Sequence, residues 1–174
     1  MGRKRPPRLQ SFDYIGVHAY FLTICAEDRH RAFAESTCAR RVCAQVLSTA
    51  ADYGFEVIAY CLMPDHLHAL TEGLRSDADF RKFASMLKQR SAFDYRGTQK
   101  GRLWQEGYYD HVLRDDEPPL GVAAYIINNP IRAGLCATVA EYPFTGSEGY
   151  TLDELSDAVQ FNPWGRRKKP WSRP

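Results

Sequence analysis

Residues 55–72, FEVIAYCLMPDHLHALTE, have the pattern of a β-hairpin. Residues 55–63 are a nearly continuous run of apolar and aromatic side chains, which is typical of a strand buried in a sheet. Pro64 and Asp65 follow as turn residues, and residues 66–72 resume a strand pattern. The sequence therefore predicts two antiparallel strands at the centre of the fold.

The chain before this hairpin predicts one strand and one helix. Residues 18–25 are rich in aromatic and β-branched side chains and predict a strand. A helix is predicted to begin with Ser36 or Thr37 as its capping residue and to run to Tyr53. Gly54 is expected to end this helix, because glycine adopts the left-handed conformation of a helix C-terminus without steric cost.

The chain after the hairpin predicts a second helix and a fourth strand. The helix is predicted over residues 77–95, with Ser76 or Asp77 as its cap. The strand is predicted over residues 103–113, with a kink at Gly107. The hairpin is therefore flanked on each side by one predicted helix and one predicted strand.

A third helix and a shorter fourth helix are predicted beyond the last strand. Asp115 or Asp116 is expected to cap the third helix, which runs to Asn129. Pro130 is expected to stop it, because the residue before a proline is disfavoured in helical conformation. A short helix is predicted over residues 152–159.

The order of these elements is β-α-β-β-α-β followed by a further helix. This order predicts an α+β fold of the ferredoxin-like, split βαβ type. Its antiparallel four-stranded sheet would carry helices on one face and leave the other face for a ligand. The expected organisation is a basic arm at residues 1–11, one catalytic domain at residues 12–150, and a C-terminal helix with a basic tail at residues 151–174.

Composition favours a cytoplasmic protein without disulfides. The chain has 174 residues, of which 44% are hydrophobic, and its cysteines number five with no C-x-x-C pair. An odd number without paired spacing argues against a disulfide framework or a zinc ribbon. The basic start lacks the apolar run of a signal peptide, and no stretch approaches the roughly 20 apolar residues of a membrane span.

Basic residues are concentrated at the two ends of the chain and on the predicted second helix. The formal net charge is only +2, so this distribution matters more than the total. Such clusters suit contacts with phosphates, although solvated tails and helix faces have the same composition. The residues selected as candidate DNA contacts are Arg3, Lys4, Arg5, Arg81, Lys82, Lys88 and Arg90.

The strand after the Pro-Asp turn carries two histidines in the order His66-Leu67-His68. Residues i and i+2 of a strand point to the same face, so the two imidazoles would stand side by side. They could be two ligands of a metal ion, or two ordinary surface histidines. Imidazoles combined with carboxylate or amide oxygens would suit Mg²⁺ or Mn²⁺.

The predicted third helix carries a second candidate pair, Tyr125 and Asn129. Residues four apart share one face of a helix. The amide oxygen of Asn129 could ligate a metal ion, and the phenol of Tyr125 could attack a phosphate that the ion polarises. The alternative is a half-buried helix tyrosine and an ordinary asparagine before a proline.

Three stretches of this sequence together resemble a known enzyme family. YCLMPDHLH at residues 60–68 looks like the HUH motif of single-tyrosine transposases. WQEGYYDH at residues 104–111 and YIINNPIRAGL at residues 125–135 resemble the REP-associated tyrosine transposases, which are related to the transposases of small insertion sequences. The resemblance covers residues 8–150, and the combination is more specific than any one motif.

The resemblance implies a function and assigns roles to residues. His66 and His68 would bind Mg²⁺ or Mn²⁺ with Asn129 as the third ligand, and Tyr125 would be the nucleophile. Tyr125 would attack a phosphate of single-stranded DNA beside a repetitive palindromic hairpin, leaving a 5′-phosphotyrosine and a free 3′-hydroxyl. The enzyme would act as a monomer or a homodimer.

Several residues near the motifs have open roles. Tyr108 and Tyr109 would point to opposite faces of a strand, so at most one of them could reach the site. Tyr109 and His111 could line the site or pack in the core. Trp104 could stack on unpaired bases or pack in the core, and Trp164 is a further stacking candidate.

Two other functions are compatible with the same residues. A protein of this fold that has lost cleavage would still bind DNA hairpins. A metal hydrolase that uses activated water would form no covalent adduct and would leave Tyr125 dispensable. The covalent protein–DNA adduct therefore distinguishes the three functions.

Overall fold

The computed structural model describes residues 12–97 and 101–163, and five antiparallel strands form a sheet in this part of the chain. The spatial order of the strands is β4-β1-β3-β2-β5. Their bounds are Ala19–Cys25 (β1), Phe55–Met63 (β2), His66–Gly73 (β3), Tyr109–Val112 (β4) and Thr145–Gly146 (β5). The order β4-β1-β3-β2 confirms the predicted ferredoxin-like topology. The fifth strand was not predicted, because two residues are too few to give a strand pattern.

Helices cover both faces of the sheet. The bounds of the α-helices are Ser36–Tyr53 (α1), Phe80–Arg96 (α2), Pro119–Ile127 (α3), Asn129–Arg132 (α4) and Leu152–Asp157 (α5). Short 3₁₀ helices occur at Glu27–Arg29, Ala32–Ala34 and Val139–Glu141. No helix in the described ranges is both long and apolar enough to cross a membrane.

Two hydrophobic cores lie on opposite faces of the sheet. Leu67 packs in the core that α1 and α2 form, whereas Leu70 packs in the core that contains α3 and α5. Because side chains alternate along a strand, His66 and His68 lie on the α3 side. The expectation that this face would be free for a ligand was wrong, since α3 and α5 cover part of it.

The first two helices begin one to three residues away from the predicted caps. The carboxylate of Glu35 accepts hydrogen bonds from the amides of Thr37 and Cys38 at 2.7 and 2.9 Å, so Glu35 caps α1. Ser36 and Thr37, which were predicted as caps, are already helical. Gly54, with φ of 73°, ends α1 as predicted.

The cap of α2 is Asp79, not Ser76 or Asp77. The Asp79 carboxylate accepts from the Lys82 amide at 3.1 Å. Several capping residue types precede this helix, and the sequence does not say which one the chain brings to the first turn.

The third helix differs from its prediction at both ends. It begins after Pro118 rather than at Asp115 or Asp116. It ends at Ile127, where Asn128 bends the chain. Pro130 then lies in the first turn of α4 instead of stopping the helix, because a proline in a first turn sacrifices no helical hydrogen bond.

The predicted fourth strand is shortened at its N-terminal end. Gly107 has φ of 76°, in agreement with the predicted kink, and β4 begins only at Tyr109. Trp104 forms an isolated bridge with Ala26 and is buried, with its indole N–H donating to Ser91 Oγ at 2.8 Å. Trp104 is therefore a core residue, and Trp164 lies outside the described residues.

None of the five cysteines, all of which lie in the described residues, forms a disulfide. Cys61 packs in the core of the α3 face, and burial raises the pKa of its thiol to about 12. Cys38 and Cys43 of α1 show the same effect, with pKa values raised to about 11 and about 12 by burial. These thiols are therefore protonated packing groups at neutral pH.

Candidate active site

The two histidines of β3 face each other at the N-terminal end of the strand. Their Nε2 atoms lie 3.1 Å apart, and the ring planes are nearly perpendicular, at 82°. His68 is almost fully buried at 1% exposure, whereas His66 is partly accessible. The two Nε2 atoms therefore lie side by side at the surface of the sheet, and solvent reaches them from the His66 side.

Each imidazole is held through its other nitrogen. The carboxylate of Asp65 lies 2.6 Å from Nδ1 of His66, and the hydroxyl of Thr23 lies 2.8 Å from Nδ1 of His68. A carboxylate can only accept, so the Asp65 contact favours a proton on Nδ1 of His66 and a lone pair on its Nε2. A threonine hydroxyl can donate or accept, which allows His68 either tautomer.

Asp65 is itself held by Arg29. The Arg29 Nε–Asp65 Oδ2 distance is 2.9 Å, and Arg29 Nη1 also donates to the sulfur of Cys25 at 3.0 Å. Burial opposes ionisation of Asp65, but the His66 hydrogen bond and the Arg29 charge hold the pKa of its carboxyl below the usual range. Asp28 and Arg29 have φ of 50° and 56°, so the turn that presents Arg29 is in a strained left-handed conformation.

The spacing of the two Nε2 atoms fits a divalent metal ion. Two ligands at right angles on an ion with metal–ligand distances of about 2.1 Å lie about 3.0 Å apart, close to the 3.1 Å found between His66 and His68. Within residues 12–97 and 101–163, no three His, Cys, Asp or Glu side chains are grouped to hold a metal.

Tyr125 lies on the same side of the sheet, on α3. Its ring centroid is 6.4 Å from that of Phe21, and the Phe21 centroid is 5.4 Å from that of His68. The fully buried ring of Phe21 thus contacts both the phenol and the imidazole. Tyr125 itself is only 5% exposed.

Asn129 adjoins Tyr125 at the bend between α3 and α4. Its amide nitrogen donates to the carbonyl oxygens of Tyr125 and Ile126 at 3.3 and 3.0 Å. The amide oxygen is consequently turned away from those carbonyls. The defined contacts of Asn129 are with α3 and not with the imidazoles, so its role as a third ligand stays a prediction.

Arg132 was not selected from the sequence, yet it contacts Tyr125 at two points. Its guanidinium carbon lies 4.1 Å from the centroid of the Tyr125 ring, and Nη2 donates to the Tyr125 carbonyl at 2.6 Å. Nη1 donates to the side-chain oxygen of Gln160 at 3.0 Å. A spacing of seven residues places two side chains on one face only of an unbroken helix, and the sequence predicted that this helix stops at Pro130. The spacing therefore gave no usable signal for this contact.

Two residues of β4 share the face of the imidazoles. In the register of the sheet, Tyr109 lies opposite Thr23 and His111 lies opposite Phe21. Tyr108 points to the other face and packs in the α1–α2 core. The opposite orientations expected for Tyr108 and Tyr109 are therefore found.

His111 is paired with a buried acid, Glu117, for which the sequence predicts no role. Its Nε2 lies 2.7 Å from Oε2 of Glu117, which also accepts from the Arg114 amide at 2.9 Å. Glu117 is 9% exposed. Its position in the charged, proline-containing run before α3 is typical of a solvated loop, and the sequence offered no signal of burial.

Residues 15–129 of the chain match the family model described as Transposase IS200 like. The chain belongs to the IS200-like transposase family. The matched range contains His66, His68, Tyr125 and Asn129. IS200-like transposases are enzymes that act on DNA, and the predicted family resemblance is confirmed.

Relatives with known descriptions agree with this assignment. A Haemophilus influenzae protein described as a REP-associated tyrosine transposase is 26% identical over 76% of this chain and 81% of its own length. The Escherichia coli REP-associated tyrosine transposase is 24% identical over 86% of this chain and 92% of its own length. A solved REP-associated tyrosine transposase bound to a REP hairpin superposes with a TM-score of 0.66, at 21% identity, over 83% of this chain and 82% of that chain. The last similarity concerns the fold.

The basic residues predicted to contact DNA do not all have free charges in this IS200-like transposase. Arg90 pairs with Asp52 at 2.6 Å, and Lys88 donates to the carbonyl oxygens of Gln105 and Gly107. Arg81 and Lys82 are exposed on α2, on the sheet face opposite the imidazoles. Lys82 lies 3.6 Å from the Asp79 carboxylate, and the Arg81 guanidinium carbon lies 4.6 Å from the Tyr14 ring centroid. Arg3, Lys4 and Arg5 lie outside the described residues.

Proposed function

We propose that this IS200-like transposase cuts and rejoins single-stranded DNA through a covalent bond to Tyr125. A divalent ion, Mg²⁺ or Mn²⁺, is held by His66 and His68, with the amide oxygen of Asn129 as the third protein ligand. The observation that carries the proposal is the convergence of two imidazole Nε2 atoms on the sheet face that also holds Tyr125. The cytoplasm, where thiols stay reduced, suits the five free cysteines.

The residues of the chain have separable tasks in this reaction. Asp65 and Thr23 orient the imidazoles through Nδ1 so that both Nε2 lone pairs can point at one ion. When bound, the ion supplies charge that polarises a phosphate oxygen and stabilises the transition state. The buried ring of Phe21 packs against both His68 and Tyr125 and so fixes the position of each ring on this face.

The chemical step is a transesterification that conserves the number of phosphodiester bonds. The phenol oxygen of Tyr125 forms a bond to phosphorus as its proton is released to a base or to water. The bond between phosphorus and the 3′-oxygen breaks, and that oxygen takes up a proton. The products are a 5′-phosphotyrosine and a 3′-hydroxyl, and attack by a second 3′-hydroxyl reverses the step on a new strand.

A local opening must precede the attack, because Tyr125 is only 5% exposed. Residues 159–161 cross α3, where the Phe161 amide donates to the Gly121 carbonyl at 2.8 Å. Gln160 of the same segment holds Arg132. We infer that displacement of this segment uncovers the phenol.

The substrate that fits the family is a DNA hairpin with a single-stranded flank. One related structure contains a REP hairpin, which makes repetitive palindromic hairpins the first substrates to test. Exposed Arg81 and Lys82 provide positive charge for the DNA backbone, and the N-terminal residues Arg3, Lys4 and Arg5 add to it. Such contacts position the DNA without reading its sequence.

Formation of a covalent adduct tests the proposal. The full chain is incubated with labelled hairpins carrying single-stranded flanks and Mn²⁺, and the products are separated on a denaturing gel. Wild-type protein should give a protein–DNA band that is lost without metal. Tyr125→Phe and His66→Ala should abolish the band, whereas Tyr109→Phe, the matched tyrosine control, should retain it.

Three results would overturn the proposal in different ways. A band that persists in Tyr125→Phe would assign the nucleophile to another residue. Cleavage without any adduct would favour hydrolysis by activated water. Tight hairpin binding without cleavage, under conditions where Mn²⁺ is bound, would favour the non-cleaving hairpin-binding protein.

A further inference from the structure

Arg132 places an exposed cation over the buried ring of Tyr125. Arg132 is an exposed residue, whereas Tyr125 is 5% exposed, and the guanidinium carbon lies 4.1 Å from the ring centroid. We propose that Arg132 is a catalytic residue of this site, which binds the scissile phosphate as Tyr125 attacks it. The inference rests on the proposed function and adds a second positive group to the two-histidine metal site.

The attachment of Arg132 to the Tyr125 backbone fixes where the guanidinium can act. Nη2 donates to the Tyr125 carbonyl at 2.6 Å, and that carbonyl also accepts from the Asn129 amide. The α3–α4 bend at Asn128 is what brings residue 132 back over residue 125. The nucleophile, the candidate third ligand and the cation are therefore tied to one carbonyl oxygen.

The contact of the guanidinium with Gln160 can be exchanged for a phosphate. Nη1 donates to the side-chain oxygen of Gln160 at 3.0 Å, and Gln160 is exposed. A neutral amide oxygen is a weaker acceptor for a cation than a phosphate oxygen. Displacement of Gln160 by a phosphate of the DNA would therefore give Arg132 a stronger acceptor.

The planar guanidinium suits this role better than a lysine would. It can keep the Tyr125 carbonyl on one N–H edge while it offers other N–H donors to a non-bridging phosphate oxygen. Negative charge increases on those oxygens as the phenol oxygen approaches phosphorus. A fixed cation at that position lowers the energy of the transition state more than that of the bound substrate.

A purely structural role is the competing explanation. In that case Arg132 would only fasten α4 to α3, and its loss would reduce the amount of correctly folded site. Such a loss would affect every substrate equally. A contact with the phosphate would instead depend on the charge of that phosphate.

The test compares two substrates in each variant. One hairpin carries an ordinary scissile phosphodiester, and the other carries a methylphosphonate there, which lacks one negative charge. Single-turnover adduct formation is measured for wild type, Arg132→Gln and Arg132→Lys. Arg132→Gln should slow adduct formation with the phosphodiester hairpin about 100-fold to 1,000-fold, which is the effect of removing a hydrogen-bond donor to a transition state. The same variant should slow adduct formation with the methylphosphonate hairpin by less than about tenfold.

The ratio of the two rates is independent of the fraction of protein that is folded. The rate of adduct formation by Arg132→Lys should lie between the rates of wild type and Arg132→Gln, because lysine keeps the positive charge but lacks the planar guanidinium. Arg40→Gln, which removes an exposed cation from α1 on the other face, is the matched charge control and should leave both rates unchanged. Equal slowing of the two substrates by Arg132→Gln would overturn the assignment.

A binding measurement covers the case in which the methylphosphonate is not cut. In the Tyr125→Phe background, Arg132→Gln should weaken binding of the phosphodiester hairpin and leave the methylphosphonate hairpin unaffected. Equal affinities for the two hairpins in both proteins would overturn the assignment. Absence of any adduct with wild-type protein would instead refute the proposed function, so the two failures are distinguishable.

Discussion

The carboxylate of Asp65 and Nδ1 of His66 lie 2.6 Å apart, although the residues are adjacent in sequence. Asp65 occupies the turn of the β2–β3 hairpin, and His66 is the first residue of β3. The same carboxylate pairs with Arg29, which a strained turn presents from the end of β1. The turn of the hairpin therefore also orients the His66 imidazole.

Removal of the Asp65 carboxylate should weaken metal binding without unfolding the chain. Asp65→Ala leaves His66 free to rotate and to change tautomer, and the loss of such an outer partner costs about 10-fold to 100-fold in metal affinity. Asp65→Asn should lose less metal affinity than Asp65→Ala, since its amide oxygen still accepts a hydrogen bond from Nδ1 of His66. Isothermal titration with Mn²⁺ measures the effect, and Asp52→Asn, at an exposed ion pair, is the control. Unchanged affinity in Asp65→Ala would show that His66 needs no partner.

The hydroxyl of Thr23, and not its methyl group, should be what orients His68 for metal binding. Thr23→Val keeps the shape of this fully buried side chain but removes the group 2.8 Å from Nδ1 of His68. We expect a fall of about tenfold or more in Mn²⁺ affinity, while Thr23→Ser restores it. If the valine and serine variants bind Mn²⁺ equally, the hydroxyl does not orient His68.

The central elements of the fold were predictable because local patterns dominate there. The hairpin of residues 55–72 has a strand pattern on each side of a Pro-Asp turn, and its prediction agrees with β2 and β3. His66 and His68 share a face for the same reason, since side-chain period along a strand is fixed at two residues. The antiparallel pairing of β2 and β3 then follows from the two-residue turn between them, whereas the positions of β1 and β4 depend on how α1 and α2 pack on the sheet.

The features that were missed depend on contacts between distant segments. The sequence predicts Ser36 or Thr37 rather than Glu35 as the cap of α1 because serine and threonine are preferred caps, and near α2 Ser76 and Asp77 are as good caps as Asp79. Asn128 bends the chain after α3, and this bend decides where Arg132 lies. No periodicity in a single segment reports a guanidinium stacked on a ring from another helix.

Glu117 is the clearest case of a residue whose burial the sequence concealed, and its loss should destabilise the fold. Glu117→Ala leaves His111 Nε2 and the Arg114 amide without their acceptor, which should cost roughly 1–3 kcal/mol of unfolding free energy. Exposed Asp116→Ala should change the free energy by less than about 0.5 kcal/mol. Urea denaturation measures both, and equal stability of the two variants would mean that the His111–Glu117 pair contributes nothing.

Gly121 should be intolerant of a side chain because the covering segment rests on it. A Cβ at this position would lie 2.7 Å from the Val159 carbonyl oxygen and 2.9 Å from Cβ of Phe161, and the first of these is backbone. Residues 159–161 would have to lift from α3, which also breaks the hydrogen bond from the Phe161 amide to the Gly121 carbonyl.

Gly121→Ala should therefore lower the unfolding free energy by about 1–3 kcal/mol, the usual cost of overpacking. Hydrogen exchange of the Phe161 amide should become faster, and Tyr125 should become more accessible to reagents that modify phenols. Gly97→Ala is the matched control, because Gly97 has right-handed helical φ and ψ and its nearest neighbouring atom would be 3.5 Å away. That variant should be neutral or more stable by about 0.4–1 kcal/mol, since alanine restricts the unfolded chain. A Phe161 amide that remains equally protected in Gly121→Ala would show that the segment is not seated on this glycine, and the nucleophile would then need another route to the DNA.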